Sequence, residues 1–178
     1  FFIASRLLGK DKIDNFVNIY SEDGASPKKG NLKNLIDADT ATNYESGIES
    51  DSSVIFYFPH HKIKLTFYSF TSQNKNPSFT PFLNWSIYGS YDNINWITLD
   101  CQKNQKDLQN SSKSQIFKIT NDEYFKIIKI SSPDNVSLSA VEFFGYAEKD
   151  NKSIELNISK DSMSSEQTKS QKDTNDEK

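Results

Sequence analysis

The sequence lacks the features of several protein classes. Its 178 residues contain a single cysteine, which excludes an internal disulfide framework and a zinc site built from several thiolates. No run of about 18 apolar residues occurs, so the sequence predicts no membrane-spanning helix. The formal net charge is -3. This mild acidity argues against a nucleic-acid partner, because such proteins normally carry an excess of basic residues.

Motifs that mark common catalytic sites are also missing. The sequence has no nucleophile elbow, no phosphate-binding glycine loop and no metallopeptidase motif, so we predict a non-enzymatic protein without catalytic residues. His60 and His61 are adjacent, and adjacent side chains of an extended chain point to opposite sides. We therefore interpret the pair as part of a surface turn. Cys101 has no neighbouring base and is interpreted as a small buried apolar residue.

The two ends of the sequence differ from its middle. Residues 1–12 are apolar but follow no basic region, so no signal peptide is predicted, and we expect them to lead from an upstream region of a larger chain. Residues 148–178 have too little apolar surface to offset the entropy of ordering, so we predict a disordered polar tail. Within it, the alternation of Ile154, Leu156 and Ile158 allows an edge strand as the alternative.

The middle of the sequence has the pattern of an all-β protein. Short runs of β-branched and aromatic residues alternate with Asn, Asp, Ser, Gly and Pro, which favours a sandwich or barrel of many short strands. Only residues 32–37 and the first twelve residues have a pattern that allows a helical turn. The predicted strands are 16–20, 54–58, 63–71, 85–89, 96–99, 116–119, 124–130 and 141–146.

One hairpin is clear in the sequence. The run that starts at Trp85 is joined to the run that starts at Trp96, and we expect Gly89, Asp92 and Asn93 to supply the turn chemistry. Both tryptophans are expected in the core, because burying an indole removes a large apolar surface from water.

Three stretches carry motifs that occur in a recognisable order. They are residues 34–44, with Asp37-Ala38-Asp39 before Thr42, then the hairpin at 85–96, and then residues 124–130 with 138–145, ending in Glu142-Phe143-Phe144-Gly145. Together, over roughly residues 13–147, these stretches resemble the discoidin family, the C-type domain of coagulation factors five and eight. The resemblance implies a galactose-binding-like jelly-roll β-sandwich over residues 13–147.

The sequence departs from the family pattern at several positions. Ala38 replaces a usual glycine, Tyr44 replaces a tryptophan, and Lys126 and Lys129 stand where arginine is frequent. The cysteine pair of secreted members is absent. With the bias towards Asn, Lys, Ser and Ile, these departures suggest a protist-like variant and slightly favour an intracellular, cytoplasmic location.

The acidic loop of the first stretch is a candidate calcium site. Calcium binds six to eight oxygen ligands, and a tight loop with two carboxylates and a hydroxyl offers several of them. The resemblance implies one structural calcium ion held by Asp37, Asp39, Thr42 and Glu142. The alternative is a loop whose carboxylates accept backbone hydrogen bonds in Asx turns.

Three loops are candidates for ligand binding, because function in such sandwiches lies on loops held by a rigid scaffold. They are residues 22–31, 44–52 and 72–82. Amides and charges bind sugar hydroxyls, and an aromatic ring packs on the apolar face of a pyranose. The sugar-binding interpretation names Lys28, Glu45, Asn74, Asn76 and Phe79. The alternative is a set of ordinary polar loop residues, with Phe79 or Phe82 in the core.

The predicted function is non-enzymatic carbohydrate recognition by a module that is monomeric within a larger chain. The alternative is an intracellular protein-interaction domain that uses the same loop face. Membrane binding needs apolar spikes beside basic residues. Only Phe79, Phe82 and Lys75 form such a group, and the acidic residues of the 44–52 loop would repel anionic lipid, so a membrane partner is not predicted.

Overall fold

The computed structural model describes residues 2–3, 16–22, 26–47, 51–74, 81–150 and 152, with residues 2 and 3 as backbone only. The described residues form one short 3-10 helix (Leu32–Leu35) and ten strands. The strands are β1 (Phe2–Ile3), β2 (Asn18–Ser21), β3 (Tyr44–Glu45), β4 (Ser52–Tyr57), β5 (His61–Ser72), β6 (Trp85–Ser90), β7 (Trp96–Gln102), β8 (Ser114–Lys118), β9 (Ile127–Ser132) and β10 (Ser137–Lys149).

Two antiparallel sheets pack face to face, which confirms the jelly-roll sandwich expected from the sequence. The first sheet has the order β1-β10-β5-β8, with β3 also paired to β10. The second sheet has the order β2-β4-β9-β6-β7. Among the described residues, no helix is both long and apolar enough to cross a membrane.

The alternation of side chains along the strands explains the core. In the second sheet, Val54, Phe56 and Phe58 point inward and are at most 1% exposed. Ile55 and Tyr57 point to the other face, where they belong to a separate small cluster. The inner residues of both sheets form one continuous apolar core, so the strands provide the rigid scaffold on which the loops stand.

Aromatic rings fill one region of the core around Trp85. The indole is 1% exposed and stacks on Phe82, with ring centroids 5.0 Å apart and an interplanar angle of 10°. Phe70 and Phe117 contact the same indole edge to face at 5.3 and 5.2 Å. Phe82, whose position the sequence left open, is therefore a core residue.

Trp96 does not enter the core, so that expectation was wrong. Its pairing with Ser90 turns the side chain to the outer face of the second sheet. There it is half-buried against the cluster of Ile55, Tyr57 and Ile127. The ammonium of Lys129 lies 4.2 Å from the centroid of its ring. The sequence predicted the strand correctly. It did not show which face of the sheet Trp96 occupies, because that face depends on the register in which β7 pairs with β6.

The β6–β7 hairpin forms as predicted, and Asp92 supplies turn chemistry as expected, whereas Gly89 does not. Asp92 accepts hydrogen bonds from the backbone of Ile94 and Asn95 at 2.9 and 2.8 Å, and these bonds lower the pKa of its carboxyl. Gly89 lies within β6, where a Cβ would be 2.6 Å from the ring of Phe125. This glycine therefore serves close packing rather than the turn.

Strand pairing extends beyond residues 13–147 at both ends. Each predicted run overlaps a strand, and residues 32–35 form the expected helical turn. The two-residue strand β1 pairs with Phe143 and Phe144 although it precedes residue 13. At the other end, β10 continues past residue 147 and pairs Lys149 with His61. Residues 153–178, including the possible strand at Ile154–Ile158, lie outside the described residues.

Candidate functional site

The strand order brings the predicted ligand-binding loops to one end of the sandwich. The connections β2–β3, β3–β4, β5–β6, β7–β8 and β9–β10 lie at this end, which we call the loop end. Backbone hydrogen bonds join them, from Asp51 to Pro133 (3.1 Å) and from Gln105 to Leu83 (2.9 Å). The connections β4–β5, β6–β7 and β8–β9 lie at the opposite end. Loops distant in sequence therefore form one polar surface.

Glu45 is a buried carboxylate in the loop end. It is 4% exposed, and its Oε1 atom accepts a hydrogen bond from the Asn135 amide at 3.2 Å. The ammonium of Lys28 lies 3.1 Å from the same oxygen, while the Lys28 side chain remains 57% exposed. The backbone also holds this pair, since the amides of Lys28 and Lys29 both donate to the Glu45 carbonyl. The structure thus brings together two of the predicted sugar-binding residues.

Asn74 connects the loops to one another. Its Nδ2 donates to the carbonyl of Thr40 at 2.7 Å, and its Oδ1 accepts from the hydroxyl of Ser112. Its backbone amide donates to Asn43 Oδ1 at 3.2 Å, and Asn43 Oδ1 also accepts from Ser139 at 2.6 Å. Among the described residues, the Asn74 side chain therefore uses one amide hydrogen and one lone pair to hold neighbouring loops together.

Two of the predicted ligand-binding residues cannot be placed. Asn76 and Phe79 lie in residues 75–80, outside the described residues. Sequence reasoning missed Asn43, which accepts hydrogen bonds from Asn74 and Ser139, and the buried Asn135, which donates to Glu45. No local signal marks Asn135, because it reaches Glu45 only through a contact between residues 90 positions apart.

The predicted calcium loop is held by its own hydrogen bonds. Asp37 Oδ1 accepts from the backbone amide of Asp39 at 2.8 Å, and Asp37 Oδ2 accepts from the Thr42 hydroxyl at 2.9 Å. Asp39 Oδ1 accepts from the amide of Ala41 at 2.8 Å. Ala38 has a φ of 61°, a left-handed conformation that favours glycine and accounts for the glycine of the family motif. The loop thus has the Asx-turn geometry that the sequence offered as the alternative.

A small cavity of about 60 Å³ links this loop to Glu142. It lies between the loop and the outer face of the first sheet, where the hydroxyls of Thr71 and Ser114 are 2.8 Å apart. Its walls are formed by Leu35, Ala38, Thr40, Thr71, Ser114, Ala140, Val141 and Glu142. In the part of the chain that the structure describes, no three His, Cys, Asp or Glu side chains gather as a metal cluster. The structure therefore does not gather Asp37, Asp39 and Glu142 into such a cluster, and calcium binding remains a prediction.

The histidine pair lies at the end opposite the loops, whereas Cys101 lies near the loop end, one residue before the end of β7. His60 is exposed in the β4–β5 turn, and His61 is half-buried at the start of β5, as expected for a turn. Cys101 is exposed on β7, so the interpretation as a buried residue was wrong. The cause is again the register, because β7 is an edge strand and Cys101 pairs with Ser86 on its outer face.

Comparison with solved structures finds the same fold in carbohydrate-binding domains. The module CpGH89CBM32-5 of Clostridium perfringens, solved with GalNAc-β-1,3-galactose, has a TM-score of 0.60 at 14% identity, over 74% of this chain and 96% of that module. A fucose-binding module of Streptococcus pneumoniae has a TM-score of 0.57 at 12% identity, over 72% and 91% of the two chains.

A third neighbour is the lectin domain of lectinolysin, solved with the Lewis B antigen. Its TM-score is 0.58 at 8% identity, over 72% of this chain and 92% of that domain. Neither the comparison with family models nor the comparison with curated protein sequences gives a match. At these identities the likeness establishes the fold, a jelly-roll β-sandwich, and function has to be argued from the residues.

Proposed function

We propose that this protein is a non-enzymatic carbohydrate-binding module that recognises a sugar through its loop end. The proposal rests on one observation: the fold brings the half-exposed Lys28, the buried Glu45 and a set of asparagines to one surface. The neighbouring structures support it, because their names describe modules that bind GalNAc-β-1,3-galactose, fucose and the Lewis B antigen.

The Lys28–Glu45 pair is suited to binding sugar hydroxyls. The exposed Lys28 ammonium offers hydrogens to a sugar hydroxyl, and the buried Glu45 carboxylate orients that ammonium. Hydrogen bonds to charged groups are worth about 1.5–3 kcal/mol, roughly twice those between neutral groups. Because Glu45 is buried and bonded to Asn135, it holds Lys28 in place before any ligand arrives. This arrangement reduces the entropy that binding would cost.

A structural calcium ion is part of the proposal. Asp37, Asp39, Thr42 and Glu142 would supply oxygen ligands beside the cavity that Glu142 shares with the loop. The ion would brace the segment that precedes β3 and so help to fix the position of Glu45. Its role would be structural rather than sugar-binding.

The burial of Phe82 argues against a membrane-binding role. Of the residues that the sequence grouped as a membrane spike, Phe82 is 1% exposed and stacked on Trp85, so it has no ring to insert. The interaction of the same loop face with a protein partner remains the rival function. No contact in the described residues favours that rival over a sugar, and the experiment below separates the two.

The test is a glycan array of the full chain, with calcium and then with a chelator. We expect saturable binding to a related set of sugars. Lys28→Ala should weaken the best binder by about tenfold or more, as expected for the loss of a charged hydrogen bond. Phe79→Ala tests the predicted ring contact. The matched control is Lys118→Ala, an exposed lysine of β8 away from the loop end, which should leave affinity unchanged.

Two outcomes would contradict the proposal. A blank array from protein with a cooperative melting transition would remove the carbohydrate function and move the search to a protein partner. Binding that survives both Lys28→Ala and Phe79→Ala would keep a carbohydrate function but remove the loop end as its site.

A further inference from the structure

A buried lysine lies at the end of the sandwich opposite the loops. Lys126 directly precedes β9, and its side chain is fully buried. The ammonium donates hydrogen bonds to three main-chain carbonyls: Pro59 at 3.3 Å, Asp150 at 3.2 Å, and Lys152. An ammonium has three hydrogens, so the carbonyls satisfy all of them. These hydrogen bonds offset the cost of burying the ammonium, because a buried charge without partners is strongly unfavourable.

The carbonyls bound by Lys126 belong to segments that leave different sheets. Pro59 lies in the turn after β4 of the second sheet, whereas Asp150 and Lys152 follow β10 of the first sheet. The carboxylate of Asp150 is 3.9 Å from the ammonium, which is long for a direct ion pair. Lys126 therefore acts mainly through the main-chain carbonyls and joins the end of β10 to the second sheet.

Further hydrogen bonds fix the same short segment. The amide of Asp150 donates to the carbonyl of His60 at 2.9 Å, and the amide of Lys152 donates to Asp150 Oδ1 at 3.0 Å. The Tyr91 hydroxyl, from the β6–β7 turn, donates to Asp150 Oδ2. Contacts with Lys126, with the β4–β5 turn and with the β6–β7 turn therefore hold Asp150 and its neighbour Lys152, although no strand pairs with either residue.

We propose that Lys126, Asp150 and Tyr91 form a latch that fastens the chain after β10 to the end of the sandwich opposite the loops. The latch lies at the end of the sandwich away from Lys28 and Glu45. Its release frees Asp150 and Lys152 while both sheets stay folded, because none of the three side chains belongs to the aromatic core.

Amide hydrogen exchange of the full chain, resolved by residue, tests the latch. In Lys126→Met, the amides of Asp150 and Lys152 should exchange about tenfold faster or more, since removing a hydrogen-bonded charge shifts the local opening equilibrium by that order. Amides in the central strands β4 and β9 should keep their protection. Lys129→Met is the control, because Lys129 lies in β9 but points to the outer face beside Trp96. It should leave exchange at Asp150 and Lys152 unchanged.

A second variant keeps the test decisive if Lys126→Met does not fold. Tyr91→Phe removes one hydroxyl, leaves the buried ammonium in place and should also speed exchange at Asp150 and Lys152. The proposal is overturned if either folded variant leaves exchange at these two amides as in the parent protein. It is also overturned if the protection of β4 and β9 falls by the same factor, because Asp150 and Lys152 would then open only with the whole domain.

Discussion

Replacing Trp85 with alanine should destabilise the protein far more than the same change at Trp96. Trp85 is 1% exposed and contacts the rings of Phe82, Phe70 and Phe117. Replacing such a residue with alanine lowers the free energy of unfolding by about 3–5 kcal/mol, because transfer energy is lost and a cavity is left in the core. Trp96 is half-buried on the outer face of the second sheet, where its contact with the Lys129 ammonium is worth about 0.5–1 kcal/mol. We expect Trp96→Ala to cost less than half as much as Trp85→Ala.

Trp85→Phe separates packing from the polar contact of the indole. The indole Nε1 donates to the Tyr68 hydroxyl at 2.8 Å, and that hydroxyl donates in turn to Asp100 at 2.5 Å. Trp85→Phe keeps a ring in the stack but removes this hydrogen bond, which is worth about 1 kcal/mol. We therefore expect Trp85→Phe to destabilise the protein much less than Trp85→Ala.

The assay for these variants is urea unfolding followed by far-UV circular dichroism, which does not depend on tryptophan fluorescence. At about 2–4 °C per kcal/mol for a chain of this size, Trp85→Ala should also lower the melting temperature by roughly 10 °C. Equal losses of stability for Trp85→Ala and Trp96→Ala would refute the assignment of the two side chains to different faces of the second sheet.

Two further predictions concern calcium and pH. Asp39→Ala should abolish any calcium-dependent rise in melting temperature, and persistence of the rise would remove Asp39 from the site. Burial of His61, with His60, Lys149 and Lys126 nearby, lowers its pKa below the ordinary value of 6.5. The unfolded chain then binds the proton more tightly, so stability is full above about pH 6.5 and declines as the pH falls through the folded pKa. His61→Gln should reduce this decline in urea titrations from about pH 7 to pH 5, and an unchanged decline would exclude His61 as its source.

The fold was predictable because its signals are local. Each of the predicted runs has the β-branched and aromatic residues of a pleated, half-buried surface, and Asn, Asp, Ser, Gly and Pro mark the turns between them. The two-residue strands β1 and β3 escaped notice because a pattern of period 2 needs more residues to show itself. The face that Trp96 occupies and the exposure of Cys101 were wrong because both depend on register and on which strand forms the edge.

The candidate site was predictable only in part. Loop chemistry identified Lys28 and Glu45, which the structure places 3.1 Å apart. It could not identify Asn135, which reaches Glu45 from the β9–β10 connection, or Lys126, whose partners are main-chain carbonyls. Every residue has a main-chain carbonyl, so the sequence does not show which carbonyls a lysine will bind. Residues such as Asn135 and Lys126 can be recognised only in the folded structure, where the segments that they join lie side by side.

The most direct test of the account is a two-dimensional amide NMR titration of the full chain with the sugar that binds best on the array. We expect the largest shifts at Lys28, Glu45, Asn43 and Asn135, with little change around His60, Tyr91 and Asp150 at the opposite end. Shifts concentrated at the opposite end or on the outer face of either sheet, or no saturable shifts from folded protein, would contradict a sugar site at the loop end.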